Sequence, residues 1–358
     1  MGLPEIQIDF YKKSQSFIRR SSRGIVCLIV QDDTRQQPVT PIRSYADIVS
    51  GDWTEATGRY LKMIFKGGPG GVIAVRMQET DTEGQIGQAL EMIRDLNFDY
   101  LCIPQYKMQY GEAVKTFLED IRKAGKKGKA VLPGFKADSS AIINFTTTGI
   151  SMKWDDEEDV LEPDTAEYCC RIAGICAGIP LTRSITYYVL DEVLDADQAE
   201  DADARIDAGE LVIIFDGEKF KIARGVNSLQ TVTETEPEDF KKIKIREGAD
   251  IVRHDIYMTF YDDYVGKLNN TYDNKQAFVG SVNRYFADLE GQILDGDAGN
   301  YAELDMERIR KYLQDNGTAT DEMTDQKIRE ANTGSGIYIT GKVRFLDALE
   351  DLHMVLEM

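Results

Sequence analysis

Gly24-Ile25-Val26-Cys27-Leu28-Ile29-Val30 is an unbroken apolar run opened by a glycine. A strand with one solvated face alternates apolar and polar residues; a strand buried on both faces does not. The residues that follow repeat this theme between helices. A helical stretch over 54–66 is closed by Gly67-Gly68-Pro69-Gly70, and Val72-Ile73-Ala74-Val75 is a second strand. The helix over 83–96 places Ile86, Ala89, Leu90, Ile93 and Leu96 on one face. Tyr100 to Pro104 is a third strand, and a helix over 110–124 carries Val114, Phe117, Leu118 and Ile121. Lys129 to Leu132 is a fourth strand. Strands alternating with helices predict an α/β domain with a parallel-type sheet and helices on both faces.

Further along, a strand is expected over 141–146, then a helix opened by Pro163-Asp164 and ended near Gly178. Another strand is expected over 184–190. The segment 211–215 and 219–223 flanks Asp216-Gly217, a strong hairpin signal. The later chain is helix-rich. Ile251, Tyr257, Tyr261, Tyr264, Val265 and Leu268 mark one long helix, Phe278 to Ile293 a second, and Met306, Ile309 and Leu313 a shorter third. These patterns predict an N-terminal arm over 1–23, an α/β domain over 24–235, a helix-rich C-terminal α+β domain over 236–335, and C-terminal strands over 336–358.

Both ends of the chain read as strands with no obvious partner. Ile6, Ile8 and Phe10 lie on one face, opposite Glu5, Gln7 and Asp9. Residues 11–23 then hold Lys12, Lys13, Arg19, Arg20 and Arg23 and no acid, a basic stem on an acidic chain. At the other end Ile337, Ile339, Val343 and Phe345 alternate with polar or small residues. After a break, Leu352, Met354, Leu356 and Met358 alternate again. An open strand edge at a terminus is a pairing hazard unless pairing is its purpose.

Composition narrows the function. The chain has 358 residues, is 42% hydrophobic and carries a formal net charge of −20. That balance argues against nucleic acid, whose binding rests on Lys and Arg meeting phosphates. No apolar run approaches the length of a membrane span, and no secretion signal is apparent, so synthesis and folding in the cytoplasm are expected. Five cysteines, without a CxxC pair, read as buried thiols.

A βαβ sheet invites an enzyme reading, but its chemistry is thin. The two histidines, His254 and His353, sit in an expected helix and strand, and no G-x-S-x-G elbow exists. Gly67 to Gly71 precedes a strand and lacks the Lys-Ser/Thr ending of a phosphate loop, so it reads as a helix stop and tight turn. Asp295 to Asn300 breaks the order of an EF-hand calcium loop. No catalytic, cofactor or metal residue is assigned.

LPEIQIDFYKKSQSFIRRSSRGIVCLIVQDD at the start, KIARGVNSL over Lys221 to Leu229, and GKVRFLDALEDLHMVLEM at the end resemble segments of contractile tail sheath proteins. The similarity is to the short sheaths of Gram-positive myophages, defective prophages and R-type bacteriocins such as diffocins. The resemblance implies a subtilisin-like α/β fold without its activity, because a fold carries no function of its own. It implies copies in six-membered rings stacked helically around an inner tail tube protein, with baseplate and terminator proteins at the ends. It also implies no nucleic acid, membrane or cofactor. Terminal arms exchanged between copies complete a small intersubunit sheet. The family's arm positions map onto Ile6, Ile8 and Phe10, and onto Leu352, Met354 and Leu356; Arg19, Arg20, Ile337, Ile339, Val343 and Phe345 are expected in the same intersubunit arms. A tube-facing role falls on Arg308, Arg310 and Lys311. The resemblance further implies assembly in the cytoplasm and then release as part of a phage tail or bacteriocin particle. An α/β hydrolase-like enzyme and a strand-swapped oligomer unrelated to tails are the competing readings.

Overall fold

A computed structural model describes residue 18 and residues 24–49, 51–77, 84–154 and 158–357. The described chain divides into an α/β unit, up to His254 plus the segment from Phe345 onward, and a C-terminal unit from Asp255 to Arg344.

The α/β unit is built on a seven-stranded sheet. Its strands are β1 (Ile25–Gln31), β2 (Val39–Ile42), β3 (Gly71–Met77), β4 (Tyr100–Cys102), β5 (Lys129–Pro133) and β6 (Ile142–Phe145). Two short pieces, β7 (Ser151–Met152) and β8 (Val193–Asp195), pair with each other, and β9 (Glu210–Leu211) closes the sheet. The order is β2-β3-β1-β4-β5-β6-β9, parallel except for β2, which runs antiparallel to β3. β1 sits inside the sheet, with Ile25 opposite Gly71 and Val26 opposite Tyr100. Val26, Leu28 and Val30 face one layer of side chains, and Cys27 and Ile29 face the other. That two-sided burial explains the unbroken apolar run.

The first layer comes from α1 (Glu55–Phe65) and α4 (Thr165–Gly178), with Leu61, Ile64, Ile172 and Ile175 in the core. Asp164 caps α4 in a capping box with Glu167, the geometry that Pro163-Asp164 foreshadows. Glycines let these two helices meet backbone to backbone. A Cβ on Gly174 would lie 2.2 Å from the Ile64 carbonyl oxygen, and one on Gly67 would lie 2.1 Å from Gly174. The second layer comes from α2 (Gly84–Ile93) and α3 (Tyr110–Lys123), through Ile86, Leu90, Val114, Leu118 and Ile121. Each such side chain stabilises the fold by about 1.5–3 kcal/mol on burial.

Beyond the sheet lie α5 (Ala202–Asp207) and the hairpin β10 (Ile213–Phe215) with β11 (Phe220–Ile222), which turns at Asp216-Gly217 as its sequence predicts. α6 (Ile243–Asp263) follows, and the division between the units falls inside it. The C-terminal unit continues with α7 (Tyr272–Leu289), β12 (Tyr301–Leu304), α8 (Met306–Asp315), α9 (Asp325–Glu330) and β13 (Ile339–Lys342). β12 and β13 pair antiparallel, Leu304 opposite Ile339, over a small core of Val279, Leu304, Ile309, Leu313 and Ile328.

Several expectations need correction. Residues 184–190 form no strand; Val189 makes a single bridge to Lys221, and Tyr187 has a φ of +55°. Burial of Ile185 and Leu190, not a ladder, accounts for their apolar character. The long helix starts at Ile243, ahead of the first residue of its expected apolar face. Residues 352–357 adopt no strand in the single chain.

Candidate functional site

The KIARGVNSL segment is a docking loop of the α/β unit. Asn227 donates through Nδ2 to the Phe240 carbonyl and accepts from the Leu229 N–H, while Ser228 Oγ donates to the Ser139 carbonyl. Gly225 N–H donates to Thr186 Oγ1, and the Ile243 N–H donates to the Gly225 carbonyl. The loop is thereby locked to the start of α6. It holds Arg224 at the surface beside Thr186, Lys242 and Lys244.

The chain's last segment lies on those residues. Arg224 Nη2 donates to Asp351 Oδ1 and Oδ2 at 2.6 and 2.7 Å, and its Nε lies 3.6 Å from Glu350. Thr186 Oγ1 donates to Glu350 Oε1 at 2.6 Å. Lys242 pairs with Asp347, and Lys244 donates to the Leu346 carbonyl. The Asp351 carboxyl is held below the ordinary carboxylate range, chiefly by its hydrogen bond from Arg224.

This packing inverts the usual order. The Glu350 side chain keeps only 6% of its exposure, whereas Leu349 is fully exposed and Leu352, Val355 and Leu356 are 82%, 91% and 78% exposed. Scattered exposed leucines are ordinary; a buried acid flanked by exposed leucines in one short segment is not. Among the described residues, no main-chain hydrogen bond ties 347–357 to the rest of the unit. The segment therefore offers an apolar face and, over 352–357, peptide groups with no main-chain partner among the described residues, the two things strand addition uses.

The other expected site residues are placed as follows. Ile6, Ile8, Phe10, Arg19 and Arg20 lie outside the described residues. Ile337 and Ile339 are half-buried and pack on the core of their own C-terminal unit, with Ile339 in β13. Val343 and Phe345 are half-buried. Leu352, Met354 and Leu356 are exposed on the final segment. On α8, Arg308 reaches Asp305 at 3.4 Å and Arg310 reaches Asp325 at 2.7 Å, while Lys311 is exposed. The histidines are far apart in role. His254 is buried, with Nδ1 3.1 Å from the Gly125 carbonyl, and His353 is exposed on the final segment. Among the described residues no group of three or more His, Cys, Asp or Glu is arranged to hold a metal ion, and no helix is long and apolar enough to cross a membrane.

The clamp of Thr186, Arg224, Lys242 and Lys244 is absent from the expected residues. A signal existed, because one quoted motif is basic (Lys221, Arg224) and the other acidic (Asp347, Glu350, Asp351).

A second polar cluster fixes the first turns of α6. Tyr100 donates to Glu247 at 2.6 Å, and Lys129 lies 3.0 Å from Glu247 and 3.1 Å from Asp250. Arg122 and Arg246 reach Asp250 at 2.6 and 2.9 Å. All are buried. Burial alone would raise the Asp250 pKa; Arg122 and Lys129 outweigh it and hold the carboxyl low.

Two family models span well over half of the chain: the central domain of phage tail sheath proteins matches residues 79–228, and the C-terminal domain of phage tail sheaths matches residues 235–355. The tail sheath protein of Clostridium phage phiCD119 is 35% identical over an alignment covering 100% of this chain and 99% of that protein. The chain belongs to the phage tail sheath family and is a structural sheath subunit. Solved structures share the fold. A sheath tail protein from Listeria innocua matches with a TM-score of 0.65 at 15% identity, covering 92% of this chain and 96% of that one. The helical sheath of the anti-feeding prophage in its contracted state matches with a TM-score of 0.67 at 13% identity, covering 100% and 99%.

Proposed function

We propose that this chain polymerises as six-membered rings stacked around an inner tail tube, and that the polymer contracts to drive the tube through a target envelope. Baseplate and terminator proteins are its partners at the two ends, and the subunit performs no catalysis. The observation that carries this reading is the inverted final segment, acid inward and leucines outward, with no main-chain hydrogen bond from 352–357 to the rest of the unit among the described residues. Residues 352–357, with Ile6, Ile8 and Phe10, serve as the arms exchanged between copies. The β12–β13 pair is a two-stranded sheet of the size such arms extend. A contracted assembly in the anti-feeding prophage sheath, a chain of the same fold, supports the same behaviour here.

The test is deletion of Leu352 to Met358. The truncated chain is expected to remain a soluble monomer with a melting temperature within ~2 °C of the full chain, because residues 352–357 are exposed. Negative-stain images of the full chain with its tube protein should show striated tubes, and images of the truncation should not. Tubes formed by the truncation, or a truncation that unfolds, would overturn the role given to this segment.

A further inference from the structure

We propose that Arg224, supported by Thr186, Lys242 and Lys244, is the positioning residue of the C-terminal arm. It holds the root of the arm on the α/β unit and so sets which face of residues 352–357 a neighbouring copy receives. This rests on the assembly reading above and adds to it a device for register.

Three observations carry it. First, the clamp acts on side chains. Asp347, Glu350 and Asp351 each meet a cation, and the main chain contributes the Leu346 carbonyl to Lys244 and the Ala348 N–H to Asp347, both ahead of residues 352–357. Such a clamp fixes the segment without using the peptide groups that strand addition needs. Second, the clamp ends at the strip itself: Asp351 is bound and Leu352 is exposed. In a strand, successive side chains point to opposite faces, and a slip of one residue exchanges the faces completely. A root fixed one residue before Leu352 decides that parity before any partner arrives. Third, the anchoring residues are themselves held. Thr186 Oγ1 accepts from the Gly225 N–H and donates to Glu350, so the loop that presents Arg224 and the residue that binds Glu350 are joined. Next to them Tyr187 keeps a φ of +55°, a conformation that a bulky residue adopts only where its surroundings impose it. A pre-formed root also reduces the ordering that association would otherwise require.

The experiment compares the full chain with Arg224→Glu, with Asp351→Asn combined with Glu350→Gln, and with the exchange Arg224→Asp plus Asp351→Arg. Each is assayed for the lowest concentration that gives pelletable sheath with the tube protein, and for hydrogen exchange of 346–357. Arg224→Glu and the double amide variant should raise that concentration about tenfold or more, with the melting temperature of the monomer unchanged. Exchange at 346–351 should become as fast as at the end of the chain. The charge exchange should recover most of the loss, which general destabilisation would not allow. If Arg224→Glu unfolds, the double amide variant decides the question, since its two residues sit on the surface segment. Wild-type assembly by the amide variant, or an exchange variant no better than Arg224→Glu, would overturn the proposal while leaving the arm reading intact. If the truncation before Leu352 assembles normally, both fall together.

Discussion

Arg224 grips both carboxylate oxygens of Asp351 across 127 residues of chain. One partner belongs to the mid-chain signature and the other to the closing one, so two motifs that look independent in the sequence are one contact in the structure. The contact is exposed on the Asp351 side, and isolated exposed pairs contribute little to stability. Its value lies in where it holds the chain.

Asp250 should set the acid limit of the α/β unit. A carboxylate depressed in the fold contributes stability that is complete above its unfolded pKa of about 4 and is lost as pH falls through the lower folded value. Lys129 has the opposite sign: burial lowers it, but Glu247 and Asp250 raise it further, so its contribution is complete below about 10.4 and lost only as pH rises past that. Asp250→Asn leaves Arg122, Lys129 and Arg246 short of a partner and should cost about 3–5 kcal/mol at neutral pH. Urea melts from pH 3 to 8 should show this gap closing as pH drops below about 4. A gap that stays constant across the series would exclude Asp250 from this role.

Gly174→Ala and Gly280→Ala should move stability in opposite directions. The first puts a methyl against the Ile64 backbone and should destabilise by about 1–3 kcal/mol or more as α1 and α4 separate. The second adds a methyl in open space within α7 and should stabilise by about 0.4–1 kcal/mol. Thermal melts of the two variants side by side check this.

Replacing both His254 and His353 by Gln should leave particles that kill or infect at the normal level. A Gln amide can take over the contact of His254 with the Gly125 carbonyl, and His353 is exposed. Normally assembled but inactive particles would return attention to chemistry in this chain.

Charge reversal at Arg310 and Lys311 should weaken co-assembly with the tube. Arg310 already has Asp325, and Arg308 has Asp305, which leaves Lys311 as the most available charge of the three. The defect should therefore follow Lys311→Glu more than Arg310→Glu and should shrink with salt, because exposed charges are screened over about 8–10 Å. Co-assembly unchanged by Lys311→Glu at low salt would remove α8 from the tube contact.

The sheet was readable because β1 is buried on both sides and leaves an unbroken apolar run. β2 was not, since its four residues include Pro41 on an edge strand, where a missing N–H is tolerated. β12 is equally short, and only its pairing with β13 gives the alternation of Tyr301 to Leu304 a meaning. Residues 184–190 misled because buried apolar residues in an irregular link resemble a strand. The alternation of the final segment predicts a strand, and the single chain forms none over 352–357. Periodicity separates two faces but does not say which one turns inward, and Glu350 turns inward here because Arg224, Lys242 and Thr186 await it. Those partners lie more than a hundred residues away, beyond the reach of any local pattern.

The five thiols have a consequence for how the chain meets oxidants. Cys27, Cys102, Cys169, Cys170 and Cys176 are all buried. Burial pushes the thiols of Cys27, Cys102 and Cys169 well above their ordinary value, and that of Cys170 upward as well. The thiolate is the species that oxidants and disulfides attack, and burial disfavours it at these four positions. The purified chain should therefore stay free of intersubunit disulfides in air without added reductant, which a non-reducing gel would show.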